Sequence, residues 1–174
     1  MSNPIEINRL EKEEPMVDPN LSQRVKEKLK GEANYQGALD CILEEFEAAT
    51  GSIHRADHET RFLHLVVQKG IPEQILVVTT TIPFGKGMAG ICLERAEPVT
   101  MCNLQTDDSG VAKPGAKLTQ VQGAIVVPIF SGDGETVIGT LGIGKPIEHD
   151  YTDQEIRILK DCALEFAKAM AQKE

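Results

Sequence analysis

The chain has 174 residues, enough to close around one hydrophobic core and too few for two ordinary domains. Hydrophobic residues make up 41% and charged residues 26%, which excludes a disordered or coiled-coil protein. Its 27 acidic against 18 basic side chains give a formal net charge of -9, which repels phosphate backbones and anionic lipid, so neither nucleic acid nor membrane is an expected partner. The basic cluster Arg24, Lys26, Lys28 and Lys30 is interleaved with Glu27 and reads as a solvated helix face. Nothing resembles a secretory leader, and no apolar run reaches the roughly eighteen residues of a spanning helix, so the expected location is cytoplasmic.

Residues 1–20 carry Pro4, Pro15 and Pro19 among glutamates and read as a flexible arm before a single domain at 21–174. Leu21, Val25 and Leu29 fall four apart, and Leu39, Ile42, Leu43 and Phe46 follow at helical spacing, which predicts two helical pieces. Asn34 is placed to cap the second and Gly51 to end it. Residues 52–56 and 61–67 read as strands joined by the polar turn at 57–60. The β-branched run from Val77 to Ile82 predicts a further strand over 74–82, which Pro83 stops. Glycines then open a short helix at 87–95, followed by a brief strand at 99–102 and a long polar loop at 103–122. Such a loop in a compact domain often serves binding. Two strands at 123–130 and 136–144 flank the hairpin signal Ser131, Gly132, Asp133, Gly134, Glu135. Thr152 and Glu155 form a capping box, and Ile156, Leu159, Ala163, Phe166 and Met170 make the apolar stripe of a terminal helix. The order predicts an α/β fold of the α+β type, an antiparallel sheet with helices packed on it.

Cys41, Cys92, Cys102 and Cys162 show no CxxC pair and no zinc spacing, so they read as small buried hydrophobes and no metal is expected. His54, His58, His64 and His149 also lack paired spacing, and surface or half-buried roles are expected for them.

Side chains alternate along a strand, so Ile125, Val127 and Ile129 share one face of the 123–130 strand, while Leu141 and Ile143 share one face of its partner. That bulky face should bind the terminal helices. The opposite face carries Ala124, Val126, Gly142 and Gly144, and its small residues leave room either for a ligand or for close approach of the short helix. Pro128 marks a bulge or an edge. At Gly85, Gly87 and Gly90 the start of the short helix presents unpaired N–H groups able to hold a carboxylate or other anion. The same glycines spell GxGxxG, but Pro83 and the hairpin-rich context argue against a dinucleotide site.

The segments IPFGKGMAGICLERAEPVTMCNLQTD, GAIVVPIFSGDGETVIGTLGIGKP and YTDQEIRILKDCALEFAKAM resemble the GAF domain family over about residues 34–170. The resemblance implies an antiparallel sheet of about six strands, terminal helices on one face, and a small-molecule pocket under the short helix and long loop on the other. It names no cofactor, because family members bind cyclic nucleotides, bilins, haem, amino acids or other metabolites. Residues expected to bind the ligand are Thr79, Thr81, Gly87, Met88, Ala89, Ala124, Val126, Gly142 and Gly144. The resemblance also implies a homodimer packed through terminal helices, with a signalling protein as a further partner.

One enzymatic branch, the free methionine-(R)-sulfoxide reductases, shares the IPFG-x-G segment. Its three redox cysteines align with Thr79, Ala89 and Lys117, and its substrate-binding acidic residues with Ala124, Gly142 and Gly144. Threonine and alanine supply no thiolate, so a catalyst is not expected. No NKFDE-type signature or bilin-attachment cysteine is present. The expected function is that of a sensory binding module; the alternatives are a reductase-like enzyme using Cys92 and Cys102, or a ligand-free interaction scaffold.

Overall fold

A computed structural model describes residues 16–112 and 114–172. Most of the arm expected at 1–20 lies outside the described residues, while its end is packed: Val17 lies against the main core and the Asp18 amide donates to Glu45 Oε1 at 2.7 Å.

Leu21, Val25 and Leu29 form the buried stripe of α1 (Leu21–Leu29), and Leu39, Ile42, Leu43 and Phe46 that of α2 (Tyr35–Phe46). The Asn34 side chain caps α2 by accepting from the Gly37 amide at 2.8 Å. Gly51 does not end this helix. Glu47 does, in the left-handed conformation at φ 53, and Gly51 sits in β1 (Thr50–Asp57), where an added Cβ would stand 2.6 Å from Leu43. The glycine serves close helix–sheet contact instead.

β2 (Phe62–Lys69) pairs antiparallel with β1, and the strand expected at 74–82 is replaced by a helix, α3 (Glu73–Thr79), and a three-residue strand, β3 (Thr81–Pro83). Strand propensity spans only about 1 kcal/mol and yields to context. Here Pro72 stands at the N-cap, Glu73 lies in the first turn where the helix dipole favours it, and Ile75 is the buried anchor. The Thr79 and Thr80 hydroxyls bond back to the Leu76 carbonyl at 3.2 and 2.6 Å, a helical use of residues that propensity assigns to a strand.

After α4 (Gly87–Arg95) and β4 (Val99–Met101) the chain runs through a long segment containing one 3-10 turn, Pro114–Leu118. It then forms the hairpin β5 (Gly123–Phe130) and β6 (Val137–Lys145) and ends in α5 (Asp153–Ala171). The sheet order is β3-β2-β1-β6-β5-β4, and each pairing is antiparallel. Pro128 lies beyond the stretch of β5 that pairs with β4 and two residues before a register shift at Phe130, a place where a missing N–H is tolerated.

The main core forms where α1, α2 and α5 cover one face of the sheet. Ile53, Ile125, Val127, Ile129, Leu141 and Ile143 meet Phe46, Leu159 and Phe166 there, and Phe166 is fully buried. At the start of α5 the Thr152 hydroxyl accepts from the Glu155 amide and the Glu155 carboxylate accepts from the Thr152 amide. That carboxylate also meets buried His149 Nε2 at 3.0 Å. His149 donates its backbone N–H to Cys102 O, and Tyr151 donates to Gly123 O, so the helix start is tied to the ends of β4 and β5.

Phe166→Ala should lower unfolding free energy by about 3–5 kcal/mol through cavity formation. Thr152→Ala should cost about 0.5–2 kcal/mol through loss of the cap. Urea unfolding checks both; equal midpoints for the two variants would contradict this ranking.

Candidate functional site

Three strands floor the second face of the sheet. Ser52 and His54 of β1, Gly142 and Gly144 of β6, and Ala124 and Val126 of β5 point to this side, opposite the isoleucines and leucines of the core. The two glycines are not equivalent. A Cβ on Gly144 would stand 2.6 Å from Val121 and 2.7 Å from Thr50, so the covering chain fills that position. A Cβ on Gly142 would meet nothing closer than Val126 at 3.4 Å, which is ordinary contact, and Gly142 borders the cavity on this face. Both sequence-level readings of the small face are thus realised, one at each glycine.

The cover has three parts. Helix α3 brings Ile75, Val78 and Thr79, the N-terminus of α4 brings Gly87, Met88 and Ala89, and the long segment brings Leu104, Ala112, Ala116, Thr119 and Val121. Met101, Leu104, Val121 and Ala124 form a small buried cluster, and Cys92, Val99 and Val126 another, which hold loop and α4 on the sheet. Between floor and cover lies a cavity of about 430 Å³, within the range of small-molecule sites.

Eight of the nine residues expected to bind the ligand, Thr79, Gly87, Met88, Ala89, Ala124, Val126, Gly142 and Gly144, line this one cavity. Thr81 does not. With 73–79 helical, Thr81 opens the edge strand β3, pairs with His64, and leaves its side chain exposed. The β1 floor residues Thr50, Ser52 and His54 were missed, because a strand with polar residues on one face reads as solvated when nothing in the sequence says what lies above it.

His54 corrects the expectation of a surface or half-buried histidine. It is 2% exposed, and Nε2 lies 2.8 Å from the Thr79 carbonyl, so Nε2 is the protonated nitrogen. Nδ1 is left as an acceptor with no hydrogen-bond partner among the described residues. The neighbouring Thr140 Oγ1, directly across the β1–β6 ladder, also has none among them. Burial, offset only partly by the Thr79 bond, pushes the His54 pKa down. His149 is likewise buried.

The cysteines differ from one another. Cys92 and Cys162 are buried, Cys41 is half-buried, and Cys102 is exposed, contrary to the reading of all four as buried hydrophobes. Cys92 donates its thiol to Val126 O, and burial pushes its pKa to about 12, so it carries almost no thiolate at neutral pH. The Asp150 carboxylate holds the Cys102 thiol protonated as well. Among the described residues no cluster of three His, Cys, Asp or Glu side chains suits a metal ion, and no helix is long and apolar enough to cross a membrane. The glycines of the GxGxxG segment follow an antiparallel edge strand rather than opening a βαβ unit, and a Cβ on Gly90 would strike the Pro83 carbonyl at 2.5 Å. Gly90 thus serves close packing of α4 on the residues that precede it.

The depressed His54 pKa makes stability fall as pH falls. Above about pH 6.5 the group is neutral in both states; below it the unfolded chain takes a proton that folded His54 resists. The slope from this group approaches about 1.4 kcal/mol per pH unit. His54→Gln should therefore lose less stability than the parent between about pH 7.5 and pH 5.5, and parallel curves from chemical denaturation would contradict the assignment.

Comparison with known proteins agrees with this architecture. The family model for the GAF domain matches residues 34–171. The GAF domain of the phosphoenolpyruvate-protein phosphotransferase of Coxiella burnetii superposes with TM-score 0.73 at 19% identity, over 88% of this chain and 92% of that one. Its Acinetobacter counterpart gives 0.71 at 15% identity, over 88% and 92%. The free methionine-R-sulfoxide reductase of Neisseria meningitidis, in complex with its substrate, gives 0.70 at 20% identity, over 88% and 90%. No curated protein matches the sequence significantly. Identities this low show a shared fold, while the family match covers most of the sequence, and together with the six-stranded sheet and its covered cavity they establish that this chain belongs to the GAF domain family.

Proposed function

We propose that the protein is a small-molecule sensor, with the ligand held between the β1–β6–β5 floor and the cover made by α3, α4 and the 103–122 segment. The observation that carries this reading is the cavity above Gly142, a volume lined by small and apolar residues. A fold under no demand for a receptor gains by filling such a space, since each buried methylene contributes about 0.8 kcal/mol.

The signal leaves through the terminal helices, packed in a dimer or against a signalling partner. A short route leads there. The carbonyl of Cys102, at the root of the covering segment, is bonded to the His149 amide, and the His149 ring rests on the Glu155 carboxylate of the α5 capping box. A ligand that binds one arrangement of the cover more tightly than another biases α5 through these contacts.

The reductase-like reading has weaker support. Its candidate thiols, Cys92 and Cys102, are both held protonated, and only Cys102 is open to solvent. The scaffold reading leaves the cavity without a purpose.

Screening metabolite pools by thermal unfolding tests the sensor reading, because a ligand of the native state raises its stability by RT ln(1 + [L]/Kd). At least one pool should raise the melting temperature of the native protein. In Gly142→Val, whose side chain enters the cavity at a strand position that favours β-branching, folding should persist and the shift should vanish. A shift of equal size in this variant would place the ligand elsewhere.

A further inference from the structure

Resting on the receptor reading of the cavity, we infer that Ser52 sets its selectivity: the ligand is a compact apolar molecule with one uncharged hydrogen-bonding group, which the Ser52 hydroxyl takes at the floor. Ser52 lies in β1, an interior strand, directly across from Gly142 of β6. Its Oγ stands 3.6 Å from the place that a Cβ on Gly142 would take, so the hydroxyl lies on the cavity face. It has no hydrogen-bond partner among the described residues, and Ser52 is only half-buried, whereas His54 Nδ1 and Thr140 Oγ1 are sealed in by their neighbours. A hydroxyl both donates and accepts, so a ligand hydroxyl or carbonyl gains a bond here that a hydrocarbon cannot make.

Other polar side chains of the lining are spent within the protein or stand away from the open floor. The Thr79 hydroxyl donates to the Leu76 carbonyl at 3.2 Å, and the Thr119 hydroxyl to the Ala116 carbonyl at 2.6 Å. His54 gives Nε2 to the Thr79 carbonyl, and its Nδ1 is enclosed. Thr50 Oγ1 lies at the filled end of the floor, 2.7 Å from the place of a Cβ on Gly144 and on the side that Val121 occupies. Lys86 is exposed and borders an adjoining cleft as well, so it belongs to the rim.

The walls set the rest of the class. Ile75, Ile82, Met88, Leu104, Val121 and Val126 line the cavity, so a ligand gains most by burying apolar surface against them. A polyhydroxylated molecule leaves hydroxyls unmatched on such walls. Among the described residues, β1, β5 and β6 bring no Asp, Glu, Lys or Arg to the cavity. A charge pressed to the floor therefore loses its hydration with no counter-charge from the strands beneath it. The volume of about 430 Å³ suits a single-ring or short-chain body.

The test is titration of the purified protein, followed by backbone amide NMR shifts, with four probes that differ in their polar groups: toluene, p-cresol, 4-methylcatechol and p-toluate. In the parent, p-cresol should bind at least as tightly as toluene, 4-methylcatechol severalfold more weakly and p-toluate about tenfold more weakly, with shifts at Ser52, Ala89 and Gly142. Ser52→Ala, which removes a hydroxyl without a partner, should keep the parent's melting temperature. It should weaken p-cresol about three- to tenfold, the worth of one neutral hydrogen bond, and leave toluene unchanged. Ser52→Thr, which restores a hydroxyl, should restore the preference for p-cresol. An unchanged ratio of p-cresol to toluene affinity in Ser52→Ala overturns the Ser52 assignment, while binding that Gly142→Val abolishes leaves the receptor reading standing. Tighter binding of p-toluate or 4-methylcatechol than of p-cresol at the same amides overturns the ligand class and likewise spares the receptor. If no probe moves these amides the proposal falls, and a metabolite pool that still raises the melting temperature of the parent but not of Gly142→Val shows that the receptor reading survives it.

Discussion

The two faces of β6 cannot be treated alike, and most of the architecture follows from that. Leu141 and Ile143 on one side interlock with the isoleucines of β5 and with α5, where close packing fixes the helices to the sheet. Gly142 and Gly144 on the other side offer no surface to bury. The polypeptide above them must either approach the backbone directly, as Val121 does at Gly144, or span a gap, as it does at Gly142. The cavity is therefore the complement of the core: one face of the sheet carries the stability, and this frees the other to be incompletely filled.

The cover is assembled from pieces that would not hold alone. Helix α3 has seven residues and a single buried side chain, below the length at which a helix is stable without tertiary support. The segment between β4 and β5 is held by small satellite clusters rather than by the main core. Such elements open at lower free energy than core strands, which suits a region that must admit a ligand. The His54–Thr79 bond is the fixed point, since it joins the end of α3 to the floor at a buried position. On the other side of the domain, His149 and Glu155 join the base of the covering segment to α5, so the same polar chemistry that anchors the cover also connects it to the helical layer.

Much of this was legible in the sequence, for specific reasons. The stripe of α5, the Thr152–Glu155 capping box, the Asn34 cap and the β5–β6 hairpin each rest on local periodicity or local hydrogen bonding, and the structure has all of them. The split between bulky and small faces was also readable, because alternation in β5 and β6 is strict where both strands are buried. Legibility ended where tertiary context decides. Residues 74–82 have strand propensity, yet Pro72 at the N-cap and the hydroxyls of Thr79 and Thr80 accompany a helix over most of them, which removed Thr81 from the cavity and kept Thr79 in it. The role of His54 was invisible for a related reason. A histidine between polar neighbours looks solvated until the chain that covers it is known. Gly51 and Glu47 exchanged roles because a left-handed helix end tolerates a non-glycine residue when the sheet needs the glycine more.

The claim on which the account stands is that the volume above Gly142 is a real, enterable, largely apolar space. Xenon occupies apolar cavities without needing any particular polar contact, so a crystal of the protein pressurised with xenon measures the claim independently of ligand identity. The account predicts an ordered xenon site bordered by Gly142, Val126 and Met88, with α3 and α4 unmoved. A map with no xenon there and with Met88 and Val78 packed down onto the Gly142 backbone would contradict it.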